Sequence, residues 1–170
     1  MRVLYLISVW LHLLSVIVWL GGMLFLAIAI VPLLRQPAYQ AIRFSMLSWM
    51  GFRFRWIGWI CLLLLFITGV VNLAYRGYDW NDLWTGQLWQ GSFGHTLGMK
   101  FFLVSLIFLL SAIHDFSIGP RATVIGQTKP GSEEALKLRK QASWIGRLNV
   151  ILALIALMLG VLLVRGNSYF

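Results

Sequence analysis

The sequence predicts an all-α integral membrane protein, a four-helix bundle forming a single transmembrane domain over residues 1–170. Three observations carry this expectation. Hydrophobic residues make up 60% of the chain, charged residues only 11%, and mean hydropathy is +0.83. A soluble domain carries about 45–50% apolar residues and has no means of hiding more from water. The apolar residues also gather into four stretches, roughly 3–34, 56–75, 96–118 and 148–164. Each suffices to cross a hydrocarbon layer about 30 Å thick, for which a helix needs about 20 residues. Lastly, most basic residues lie in the connections between stretches. Backbone groups in lipid must be satisfied within the segment, so stretches this long are helices, not barrel strands of about 10 residues.

The first stretch is overlong and is expected to tilt, to start above the membrane, or to kink near Gly21-Gly22 before Pro32 and Arg35 end it. Ala27-Ile28-Ala29 looks like a signal-peptide cleavage site, but the apolar run before it exceeds the 7–15 residues of a signal sequence, so retention is expected. Residues 37–54 mix aromatic and basic side chains, with Ile42, Met46, Leu47 and Met50 at helical spacing, which predicts a short interfacial helix after the first span. The loop 76–94 carries Tyr78, Trp80, Trp84 and Trp89, as an interfacial aromatic belt does; a lid over a site is the alternative. Gly119-Pro120 is expected to stop the third span. Residues 128–131 read as a turn, and Ser132 before Glu133-Glu134 as a helix start that runs unbroken into the fourth span. No internal repeat stands out.

The formal charge of +9 comes from a biased distribution. Arg35, Arg43, Arg53 and Arg55 lie between spans one and two. Arg121, Lys129, Lys137, Arg139, Lys140 and Arg147 lie between spans three and four. The positive-inside rule then places both basic loops in the cytoplasm and both termini outside, in a multi-pass protein of a bacterial plasma (inner) membrane. The lipid bilayer, through its anionic headgroups, is partner enough for this charge, and no nucleic acid is expected. The single cysteine, Cys61, excludes an internal disulfide and reads as a small apolar filler.

Polar groups inside the spans cost free energy unless they face helices, water or a ligand. Ser8, His12, Ser15, Trp19 and Gly22 follow one helix stripe, Cys61, Thr68 and Asn72 a second, and Lys100, Ser111 and His114 a third. Ser8, His12, Ser15, Thr68, Asn72, His95 and Lys100 belong to the outer half by depth; His114, Asp115 and Asn149 belong to the inner part. His12 is either an interhelical hydrogen-bond partner or a metal or haem ligand. Lys100 either snorkels to the outer surface, pairs with an anion such as a haem or porphyrin carboxylate, or ligates through a deprotonated amine. His95 is a boundary histidine or a ligand, and His114 a partner of Asp115 or a ligand. Thioethers suit Cu(I), so His12, Met23, His95 and Met99 form a candidate copper set, although methionine is also ordinary packing in a membrane bundle. No catalytic residue is assigned.

Leu11-His12-Leu13, Trp19-Leu20-Gly21-Gly22-Met23-Leu24 and the closing Pro32 resemble the first helix of the copper-resistance protein D (CopD) domain. Leu97-Gly98-Met99-Lys100 with Ile118-Gly119-Pro120-Arg121 resembles its third helix, and Leu138-Arg139 with Trp144-Ile145-Gly146-Arg147 its ending. The same superfamily looks to include the HemJ-type protoporphyrinogen oxidases, four-helix haem b proteins. Their first-helix histidine, tryptophan and glycine match His12, Trp19 and Gly22, and their third-helix lysine matches Lys100. The resemblance implies a haem b site around His12, Lys100, Trp19 and Gly22; the reading of the residues themselves adds His95 and His114 as further candidates. Its expected role is redox, either electron transfer or porphyrin oxidation by an oxidoreductase of that type. It equally implies a copper-transporting or copper-resistance protein. A cofactor-free accessory subunit among other membrane redox subunits is the third reading.

Overall fold

The computed structural model describes residues 2–165, which are helical almost throughout and contain no strand. Four helices are long and apolar enough to cross a membrane: Arg2–Leu33, Arg43–Ala74, Gly91–Thr128 and Glu133–Arg165. The first comprises α1 (Arg2–Phe25), a π-helical turn (Leu26–Ile30) and α2 (Val31–Leu33). The second is α3 (Arg43–Ala74). A loop holding α4 (Trp80–Thr85) leads to the third, built from α5 (Gly91–Ile113), a second π turn (His114–Ile118) and α6 (Gly119–Thr128). The fourth is α7 (Glu133–Arg165).

Each π turn stands just before a proline. Pro32 and Pro120 have no N–H to give the carbonyl four residues back, and their rings crowd it. The helix accommodates this by widening: Val31 N–H reaches Leu26 O and Gly119 N–H reaches His114 O, both five residues back. Gly119-Pro120 therefore does not stop the third span as its composition suggested; the helix passes through to Thr128. Gly21-Gly22 lies inside the unbroken α1, and the irregularity of the first span sits nearer Pro32, at Leu26–Ile30.

The expected separate interfacial helix after the first span is absent. A single 3-10 turn occupies Pro37–Tyr39, and residues from Arg43 onward are the first turns of α3 itself. Nothing breaks helical geometry between the amphipathic stretch and the apolar one, because Gly51 is the only weak helix former there. The helix start at Ser132 holds as read: its Oγ accepts from Ala135 N–H, and α7 continues without a break.

The helices pack as two hairpins, α1 with α3 and α5 with α7, joined mainly by α1 against α7 and α3 against α6. We call the end where α1 and α5 begin the upper end, and the end carrying both π turns the lower end. The core lies between the hairpins: Trp19 and Leu20, Cys61 and Leu62, Ile107, and Leu152, Ala153 and Ala156. Large apolar side chains such as Trp10, Ile17, Leu63, Phe102 and Met158 face outward. An exposed apolar surface of this extent suits lipid and no aqueous setting.

Candidate functional site

At the upper end the predicted stripes on α1 and α3 meet. Ser8, Ser15, Trp19 and Thr68 are all buried, and His12 is half-buried between them. His12 Nδ1 lies 2.8 Å from Thr68 Oγ1. The threonine hydroxyl lies 2.6 Å from Leu64 O, so its only proton is committed to that carbonyl. Nδ1 must then be the donor in the bond to Thr68, which fixes the tautomer and leaves Nε2 with a free lone pair. Ser8 Oγ adds a weaker bond to the Thr68 carbonyl at 3.4 Å. A Cβ added to Gly69 would stand 3.9 Å from His12 Cε1, so the ring lies over a residue without a side chain.

Lys100 enters from the other hairpin. Its Nζ lies against α7, where a Cβ on Gly160 would approach it to 3.1 Å. Lys100 acts electrostatically on His12, and Arg76 acts on Lys100. Arg76 itself donates to Leu163 O at 3.1 Å and lies 5.2 Å from the centre of the Phe93 ring, on which Tyr78 stacks at 5.4 Å. Among the described residues no carboxylate answers this charge: Asp79 and Asp82 cap α4, and Glu133 and Glu134 open α7 at the lower end. Asn72 Oδ1, one turn above Thr68, is buried without a hydrogen-bond partner.

A cavity of about 470 Å³ opens beside this cluster along the α5–α7 seam, lined by Gly91, Ser92, His95, Thr96, Met99, Leu159 and Leu162. His95 and Met99 are both exposed, one helical turn apart, and share its wall. The buried Ser92 Oγ has no partner.

The structure thus sets His12 and Lys100 in the upper part of the bundle on opposite hairpins, each over a glycine of its partner helix, with His95 and Met99 on the cavity wall of Lys100's own helix. Other proposed residues do different work. Trp19 packs on Gly58 in the core, and Met23 borders the same core. The space at Gly22 is already filled by the Phe54 ring, so it leaves no room for a flat ligand. His114 sits at the lower end of α5, paired through Nδ1 with Asp115 Oδ1 at 2.9 Å, and Trp59 Nε1 donates to Asp115 Oδ2 at 3.1 Å. His12 and His114 therefore do not share one site. Among the described residues no three His, Cys, Asp or Glu side chains gather as a metal would need. Arg76 and Gly160 escaped the sequence reading because a loop arginine and an isolated glycine in an apolar helix have no periodic signal.

Fold and site together define a multi-pass α-helical membrane protein with a cation-bearing polar site at one end of the bundle. The chain belongs to the copper resistance protein D (CopD) family, whose model matches residues 50–163. It is similar to an uncharacterized protein of Aquifex aeolicus (strain VF5), 33% identical over 152 residues that cover 89% of each chain. No solved structure matches it.

Proposed function

We propose that this CopD-family protein binds haem b at the upper site and serves a redox role, as an electron carrier or a porphyrin oxidase. The observation that supports this reading is Lys100. An ammonium group inside a membrane span, facing the bundle and with Arg76 nearby, calls for an anionic partner. Among the described residues no acid supplies it, whereas the carboxylates of a porphyrin would. The donor set fits: His12 offers one oriented nitrogen lone pair, and a single imidazole suffices as an axial ligand. Thr68 would hold that ring in place as outer-shell partners of metal-bound histidines do. Lys100 and Arg76 would neutralise the acid groups. Bound there, the group would supply one-electron chemistry at its iron. The upper end is extracytoplasmic in this reading, because the two connections rich in arginine and lysine lie at the lower end. Purified wild-type protein produced with ample haem is expected to show a Soret band that His12→Ala abolishes; a colourless wild type would refute the proposal.

Copper handling is the second reading, carried by His95 and Met99 on one open cavity wall. An imidazole and a thioether one turn apart suit Cu(I). The cation at Lys100 raises the barrier to a metal ion moving deeper between the helices, which favours a surface station over a conducting path. Metal analysis separates the two readings, copper without porphyrin supporting this one.

A further inference from the structure

The four spans match in pairs, each pair at its own fixed spacing, although the connections between them differ. α1 ends at Phe25, its π turn spans Leu26–Ile30, and Pro32 follows. Adding 88 to these numbers gives the end of α5 at Ile113, the π turn His114–Ile118, and Pro120. π-helical residues amount to well under 1% of protein structure, so two such turns in the same register are not a generic feature of helices. The second helices agree at an offset of 91. The four buried residues of α3 are Gly58, Cys61, Leu62 and Thr68, and the corresponding Asn149, Leu152, Ala153 and Leu159 of α7 are all buried too.

These offsets run through the upper site. Adding 88 to Ser8 and His12 gives Thr96 and Lys100, and adding 91 to Gly69 gives Gly160. Those are the two glycines against which the imidazole and the ammonium lie. We infer that the protein is built from two structural repeats of one helical hairpin, and that His12 and Lys100 are equivalent residues presented from the two repeats to one shared ligand. Both hairpins begin at the upper end, so the repeats are of the parallel kind, related about the membrane normal.

The repeats differ where it matters chemically. In the first, Thr68 holds the imidazole; in the second, the equivalent residue is Leu159, which offers the ammonium nothing. One inherited position has thus become an oriented nitrogen ligand, the other a cation awaiting an acid. The ligand class is a molecule that carries an acceptor for a nitrogen lone pair together with an anionic group, placed between the hairpins. Only the ligand's identity as haem rests on the function proposed above.

Two experiments test this on the full-length protein in lipid nanodiscs or detergent. Spin labels on the exposed positions Leu13→Cys and Phe101→Cys, and Ile17→Cys and Ser105→Cys, in a Cys61→Ala background, report membrane depth. Members of each pair, 88 residues apart, are expected at depths agreeing within one helical turn, about 5 Å; a larger difference overturns the repeat. For the site, His12→Lys alone places two ammonium groups together. It should lower the melting temperature of the ligand-free protein by about 4 °C or more. The exchange H12K/T68L/K100H/L159T should return it to within about 2 °C of wild type. An exchanged protein no more stable than His12→Lys overturns the equivalence. Haem titration is read separately. If wild type takes up none, the proposed function fails while depth and melting still decide the repeat. If it binds, the exchanged protein should bind within about ten-fold where His12→Lys does not, and loss in the exchanged protein refutes the shared ligand.

Discussion

His12 and Asp115 show how one residue's hydrogen bonds decide what it is free to do. Thr68 occupies Nδ1 of His12 and leaves Nε2 open, so the imidazole is oriented without being used up. Thr68→Val keeps the side chain's shape and removes that partner. Bonds of this kind between membrane helices average about 0.6 kcal/mol, so the fold should survive with a small change in melting. Loss of an outer-shell partner typically costs about 10-fold or more in metal affinity, which a haem titration of the variant would read. Asp115 is the opposite case, with both carboxylate oxygens bonded, one to His114 and one to Trp59. Asp115→Ala leaves the half-buried Trp59 indole N–H without its partner, at a cost of about 1 kcal/mol. It should lower the melting temperature by several degrees and leave any Soret band unmoved, because the two sites lie at opposite ends of α5.

At the scale of the element, glycines set how closely helices approach. Gly22 admits the Phe54 ring, Gly58 admits Trp19, and Gly160 admits the end of Lys100. Gly160→Val is expected to displace the ammonium and weaken binding of a carboxylate-bearing porphyrin while His12 ligation persists. The check is a weaker haem titration with an unchanged Soret position. Gly22→Leu should act on stability alone, since overpacking a filled contact typically costs about 1–3 kcal/mol; thermal melting in detergent measures it. The π turns belong to this scale too, because they rotate everything below them. The turn at His114–Ile118 presents Asp115 to Trp59 and Phe116 to Arg55, whose guanidinium lies 5.8 Å from that ring.

For the whole molecule the charge distribution determines orientation. The connections at the lower end carry most of the arginines and lysines, which predicts that the lower end faces the cytoplasm. An impermeant maleimide added to intact cells should label Trp84→Cys, which is 83% exposed in the upper loop. It should label Glu133→Cys only after permeabilisation. Cys61 is buried and stays silent, giving a clean background. The reverse pattern would invert the bundle and move the His12–Lys100 site to the cytoplasmic side.

Four spans, their order and the polar stripes on three of them were legible in the residues, because a lipid solvent imposes length and polarity rules that act on each segment separately. The unbroken helix from Glu133 followed from local capping chemistry, which is also a short-range matter. Helix continuity at Gly119-Pro120 and at residues 37–54 was not legible, because a π turn and a merged helix depend on how neighbouring turns are packed. The filling of Gly22 by Phe54 and the glycine platforms under the imidazole and the ammonium came only from the tertiary structure. Residues 88 and 91 apart come into register through helix packing, and the divergence of almost every side chain between the two hairpins removed that relation from the sequence.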